Sequence, residues 1–270
     1  MKKILLFIIL LGLVGVAKAE LRIAGTLTQG GLLHGQATPG TQIYYEQRRL
    51  KVSEQGEFIL GFGRDAETSH TLTLIDPSGL VSFKELQIES RKYRTQRING
   101  ISKRMMEPSS EDLTRIGREA EQARRARRLD SDLPYFTDSF VWPVIGRISG
   151  VYGSRRILNG EPRRPHFGID IAAPTGTPVK APAGGRVTLA HKGMFFSGAT
   201  LIIDHGHGLS SSFLHLRQIL VKEGQLVTQG QRIATVGATG RVTGPHLDWR
   251  INWFEQRLDP ALLVPDMPGG

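Results

Sequence analysis

The sequence predicts a mainly β protein, with two β units of unequal size joined by one helix. Three observations carry this expectation. Over residues 20–90, turn signals such as Pro39-Gly40, Gln55-Gly56 and Pro77-Ser78-Gly79 separate short pieces rich in β-branched and aromatic residues. The stretch SSEDLTRIGREAEQARRARRL then carries helix start and stop signals. From Phe140 onward, the short apolar runs VTLA, TLIID and IATV are bounded by Gly and Pro turns, the pattern of many short strands.

The elements follow in chain order. Met1-Lys2-Lys3 is a short positive start, Ile4 to Val16 is apolar and uncharged, and Ala17-Lys18-Ala19 is a small-x-small site. Residues 1–19 therefore read as a secretory signal peptide. The apolar run is shorter than the roughly 20 residues that span a bilayer. The expectation is a periplasmic or secreted protein that is not integral to the membrane after cleavage. The sequence has no cysteine, which excludes disulfides, thiolate metal sites and a lipid-bearing Cys after the leader. Residues 20–90, with pieces such as QIYYE and HTLTLID, suggest a small immunoglobulin-like β-sandwich. His34 and His70 are isolated there and read as surface or turn residues.

Residues 91–138 form a basic linker with a helix over 109–129. Ser109 or Ser110 can cap it, Glu111 and Asp112 suit its positive end, and Arg124, Arg125, Arg127 and Arg128 suit its negative end. Leu113, Ile116, Ala120 and Ala123 make a narrow apolar stripe, so the helix is expected to rest on a domain surface. Its Arg cluster suits contact with an anionic polymer, and equally simple dipole complementarity. The net charge of +10 points the same two ways: an anionic partner, or solubility alone. Export argues against nucleic acid as that partner.

The third segment, 139–265, holds the candidate chemistry. His166 and Asp170 sit in PHFGIDI, His215 in SSFLHLR, and His246 and Asp248 in GPHLDWR. On a strand, residues two apart share a face, so His246, Asp248 and Arg250 are expected on one side. If the strands pair, these side chains can converge on one metal ion. His205 and His207 in DHGHGL read as solvent-facing turn residues, and His191 as part of a loop at a groove edge. Trp249 and Trp253 suit core or groove-rim packing.

Together these motifs resemble the catalytic domain of the lysostaphin/LytM-type zinc metalloendopeptidases, which cut peptide cross-links of bacterial peptidoglycan. The resemblance spans nearly half the chain. It rests on the H-x-x-x-D motif at His166 to Asp170, the following IAAPTGTPVKAPAGGRV, the context of His215 in FLHL, VKEGQLVTQGQRIATVGATG, and an H-x-D where the family has H-x-H. It implies a curved antiparallel β-sheet with a groove for an extended peptide. It also implies one zinc ion on His166, Asp170 and Asp248, with His215 and His246 as the catalytic pair handling water or the tetrahedral intermediate. Asn159 resembles an Asn that approaches the metal in related enzymes, and Arg250 can hold a carboxylate, either Asp248 or one on the substrate.

The aspartate at 248 departs from the family pattern. Carboxylate oxygen reaches zinc at about the same distance as imidazole nitrogen, roughly 2.0–2.2 Å, so the exchange is chemically allowed. A ligand set of one His and two Asp neutralises the ion, which is expected to weaken its action on water and on a carbonyl. Alternatively His246 ligates the ion and Asp248 acts as base or supports a ligand. The leading functional expectation is an exported endopeptidase acting on peptidoglycan, D-alanyl cross-links in particular. The alternative is a non-catalytic LytM-type module that binds cell wall or activates a partner amidase. A further alternative is an enzyme held inactive by the sandwich or the helix over its groove.

Overall fold

A computed structural model describes residues 21–268. The segment read as a signal peptide lies outside them. The chain is mainly β with antiparallel sheets. The first strands are β1 (Arg22–Gly25), β2 (Leu32–Gln36), β3 (Gln42–Tyr45), β4 (Arg48–Arg49), β5 (Glu57–Gly61), β6 (Ser69–Ile75) and β7 (Val81–Gln87). They form two small sheets, ordered β1-β2-β5 and β4-β3-β6-β7. β6 shows the expected alternation, with His70, Leu72 and Leu74 buried between more exposed neighbours. His70 is therefore not a surface residue: its ring nitrogens lie 2.8 Å from the Tyr45 hydroxyl and 2.8 Å from the Glu67 carbonyl.

The linker is more structured than a helix alone. It begins with β8 (Thr95–Ile98), continues through a short helix α1 (Lys103–Met106) into α2 (Ser110–Arg127), and ends in a 3-10 turn at Pro134–Thr137. The Ser109 hydroxyl caps α2 by accepting from the Asp112 N–H at 3.2 Å. The buried face of α2 is not the expected stripe, because Leu113 is exposed. Asp112, Glu119 and Ala126 are buried instead. Asp112 accepts from Arg104, and Glu119 accepts from Arg115 and from the Phe195 N–H at 2.7 Å, so the charges go inside with partners. Ala126, with Ala123 beside it, packs against Leu189, Met194 and Ile202. The helix thus covers the outer face of the main sheet.

The series of strands that follows begins with β9 (Arg147–Gly150), β10 (Arg155–Leu158), β11 (Glu161–Arg163), β12 (Ile169–Ala172), β13 (Pro178–Lys180), β14 (Gly185–Met194) and β15 (Gly198–Gly206). It is completed by β16 (Leu209–Ile219), β17 (Leu226–Val227), β18 (Arg232–Val236), β19 (His246–Trp253) and β20 (Gln256–Leu258). The main path runs β17-β14-β15-β16-β19-β12-β9, while β8 pairs with β10 in a small separate sheet with β11. Trp249, Phe213, Leu201 and Ile203 are fully buried in the main core. The same apolar cluster includes Leu33, Phe58 and Leu72 of the N-terminal sheets, and Tyr45 meets Trp253 across the junction at 6.4 Å between ring centroids. The two β units therefore share one core. Among the described residues no helix is long and apolar enough to cross a membrane.

Candidate metal centre

The centre is built where β12 and β19 run side by side. Their antiparallel register sets Asp170 directly opposite Asp248 and Ala172 opposite His246. β16 flanks the other side of β19, with Leu214 opposite Asp248. Both carboxylates are buried, with Asp170 at 7% and Asp248 at 1% exposure. Like charges directly opposite on paired strands repel, so this arrangement demands cations. His166 lies just before β12, its backbone held by Ser154 and Gly153, and its Nε2 is 3.1 Å from Asp170 Oδ1. One ligand atom from each of His166, Asp170 and Asp248 can be chosen so that all lie within 4.8 Å of one another.

A zinc ion fits this donor set. His166 Nδ1 is buried without a hydrogen-bond partner, and His166 Nε2 and Asp170 Oδ1, although 3.1 Å apart, are not aligned for a hydrogen bond with each other. Unpartnered polar atoms so deep in a protein are costly, and three donors of the types zinc takes sit together.

Two guanidiniums pair with the same carboxylates. Arg156 donates from Nη2 to Asp170 Oδ2 at 2.6 Å. Arg250 donates from Nε to Asp248 Oδ1 at 2.9 Å and from Nη2 to Oδ2 at 2.5 Å. Each pair is seated against a glycine. A Cβ at Gly150 would collide with Asp170 Oδ2, and one at Gly168 would lie 2.6 Å from Arg250 Cγ and 2.7 Å from Asp248 Oδ1. Burial pushes the Asp248 carboxyl up, but the Arg250 charge and its two hydrogen bonds outweigh this and hold it well below the usual carboxylate range. Asp170 is likewise held below its ordinary value, with burial opposed by His166 and Arg156. A carboxylate offers about four lone-pair sites, so Asp248 keeps acceptor capacity beside its bidentate arginine. The expectation of an electrically neutral, weakened centre counted only the ligands. Arg156 and Arg250 also pair with the two aspartates, so their positive charges belong to the electrostatics of the site.

The two remaining histidines face the same place. Their ring centroids are 4.9 Å apart, and His246 Nε2 lies 3.8 Å from Asp170 Oδ1. His215 Nδ1–H donates to the Thr239 carbonyl at 2.7 Å, and His246 Nδ1–H donates to the Gly244 carbonyl at 2.9 Å. In the neutral form of each ring, this contact leaves the lone pair on Nε2. His215 has φ of 61°, a left-handed conformation that costs about 1–2 kcal/mol for a residue with a Cβ. Burial pushes its pKa down to about 4, against the opposing charge of Asp248, so its imidazole is neutral at neutral pH. His215, His246, Asp170, Asp248, Arg156 and Arg250 all line one groove of about 330 Å³.

Other candidates fall elsewhere. Asn159 is tied to the linker: its Nδ2 donates to the Ile101 carbonyl at 2.7 Å and its Oδ1 accepts from the Ile101 N–H at 3.2 Å. His205 and His207 are buried, not solvent-facing. His205 places its nitrogens 2.6 Å from the Gly184 carbonyl and 2.8 Å from the Ser211 hydroxyl, and His207 stacks on Phe136 with centroids 3.7 Å apart. Burial pushes both down to about pH 4, so they are neutral packing residues. His191 lies within β14, where its Nδ1 accepts from the Gly193 N–H at 3.1 Å. Trp249 and Trp253 are core residues. Helix α2 is not the element that reaches the groove; Gln96, Ile98 and Ile101 of the linker form part of its wall. Sequence reasoning missed β8 and Arg156, because the former's parallel partner β10 lies about sixty residues away and the latter sits among several arginines.

Residues 164–260 match Peptidase family M23. A stretch of 104 residues, 38% of this chain, is 47% identical to peptidoglycan DD-endopeptidase ShyB of Vibrio cholerae and covers 24% of that protein. Another of 128 residues, 46% of this chain, is 39% identical to the DD-carboxypeptidase/endopeptidase Mpg of Neisseria meningitidis and covers 29% of it. The matched segment thus spans only about a quarter of the length of these relatives. A crystal structure from Pseudomonas aeruginosa, described as a peptidase of M23 type, matches 88% of this chain and 95% of its own, at 30% identity and a TM-score of 0.70. The motif spacing, the sheet that brings the motifs together and a likeness over nearly the whole of that structure lead to one assignment: the chain belongs to peptidase family M23.

Proposed function

We propose that the chain is an exported zinc metalloendopeptidase that hydrolyses peptide cross-links of peptidoglycan in the periplasm, D-alanyl cross-links in particular. The observation that supports this most is that the His166, Asp170 and Asp248 cluster adjoins a groove lined by its two aspartates together with His215 and His246. The names of the relatives, a DD-endopeptidase and a DD-carboxypeptidase/endopeptidase, support the substrate class. In this reading, residues 20–90 form an immunoglobulin-like unit, 91–138 the linker and 139–265 the catalytic unit.

His166, Asp170 and Asp248 would hold the zinc, which when bound supplies a Lewis acid that polarises a carbonyl and makes water more acidic. Arg250 and Arg156 fix the rotamers of the two carboxylates. His215, neutral and held by Thr239, accepts a hydrogen bond at Nε2 and orients the attacking water. His246, half-buried at the groove, takes the water proton on Nε2 and passes it to the departing amide nitrogen as the C–N bond breaks.

Residues 20–270 are expected to release soluble muropeptides from purified peptidoglycan. Release should stop with a chelator and return with zinc. No release under any of these conditions would overturn the hydrolase reading and favour a binding or amidase-activating module.

A further inference from the structure

The groove holds a third guanidinium that the chemistry above does not use. Arg241 lines the same cavity as His215 and His246. Arg156 and Arg250 each have an aspartate, but among the described residues no carboxylate lies within ion-pair distance of Arg241. Its guanidinium carbon sits 4.4 Å over the Phe196 ring instead. Burial lowers its pKa, and the charges of Arg156, Arg163 and Arg250 lower it further, so it is a half-buried cation among cations.

Its position is fixed by the loop that also fixes a histidine. The Arg241 N–H donates to the Phe196 carbonyl at 2.8 Å. Two residues earlier, the Thr239 carbonyl holds His215, and the Thr239 hydroxyl accepts from the Ala199 N–H and donates to the Leu216 carbonyl, both at 2.9 Å. The loop therefore keeps Arg241 in a set relation to the imidazole that faces the reacting bond. An arginine so placed is pre-organised for a planar, charged acceptor brought by the substrate.

We propose that Arg241 is a specificity-determining residue that binds a free α-carboxylate of the cross-linked peptide near the scissile bond. This rests on the peptidoglycan-hydrolase reading. It makes the groove selective for carboxylate-bearing peptides over neutral ones such as glycine bridges.

The test uses two synthetic cross-linked peptides that differ only in a free carboxylate or a carboxamide at that position. Turnover is measured with the zinc-loaded protein, and binding by calorimetry with the chelator-treated protein. The wild type is expected to favour the carboxylate peptide by about 10- to 100-fold, mainly through KM, the range of a hydrogen bond to a charged group. Arg241→Gln should bring that ratio close to one, and Arg241→Lys should keep part of it. Turnover without a carboxylate preference in the wild type, or a preference kept by Arg241→Gln, overturns the assignment of Arg241. A carboxylate preference in binding that Arg241→Gln removes, with no turnover, supports Arg241 and overturns hydrolysis alone. Neither preference nor turnover overturns both.

Discussion

Arg250→Leu is expected to lower the stability of the chelator-treated protein by about 3–5 kcal/mol, the usual cost of removing one partner of a buried ion pair. Asp248 is 1% exposed and both its oxygens accept from Arg250. Leucine fills some of the volume but leaves the carboxylate in an apolar strand pair, opposite Asp170. The carboxyl must then stay charged without a partner or take up a proton. Zinc should restore part of the loss, since it supplies the missing positive charge. Arg250→Lys should be intermediate, because an ammonium keeps the charge without the two-pronged geometry. Urea unfolding with chelator and with zinc measures both effects. A loss under about 1 kcal/mol, in the range of an exposed ion pair, would show that the pair is not the support it is taken to be.

His215→Asn is expected to reduce muropeptide release by about 10²- to 10⁴-fold, the usual contribution of a positioned acid–base group. Asparagine tolerates the left-handed backbone that His215 adopts and can still donate to the Thr239 carbonyl, so the fold should persist. Zinc content should stay at one ion per chain, because His215 is not among the three clustered donors. Loss of zinc together with activity would place His215 among the ligands. Retained activity would remove it from the chemistry.

How far the sequence foretold the structure depended on how local each signal was. Period-two patterning in β19 put His246, Asp248 and Arg250 on one face, and the Arg250–Asp248 contact follows from that spacing. The placement of Asp170 opposite Asp248 is a matter of register between strands about eighty residues apart, which no local pattern reports. His205 and His207 were misread for a related reason. DHGHGL has the composition of a turn, but the 3-10 turn carrying Phe136 packs over it from the linker and shuts out solvent. The buried face of α2 was hidden because its charges are inside with partners from α1, from its own preceding turn and from the Phe195 backbone. An apolar stripe is a poor guide to a helix that docks through satisfied polar groups. Arg241 stands alone between glycines in TGRVTGPH, and only the packing of its loop on Phe196 brings it into the groove.

The central claim is a zinc centre made from one histidine and two arginine-backed aspartates. Anomalous diffraction at the zinc edge, from crystals of the zinc-loaded protein, tests it most directly. The expected result is one ion with a His166 nitrogen and one oxygen from each of Asp170 and Asp248 at about 2.0–2.2 Å, and Arg250 still bonded to Asp248. An ion bound through His246 with Asp248 outside its coordination shell, or no ion between the two aspartates, would contradict it.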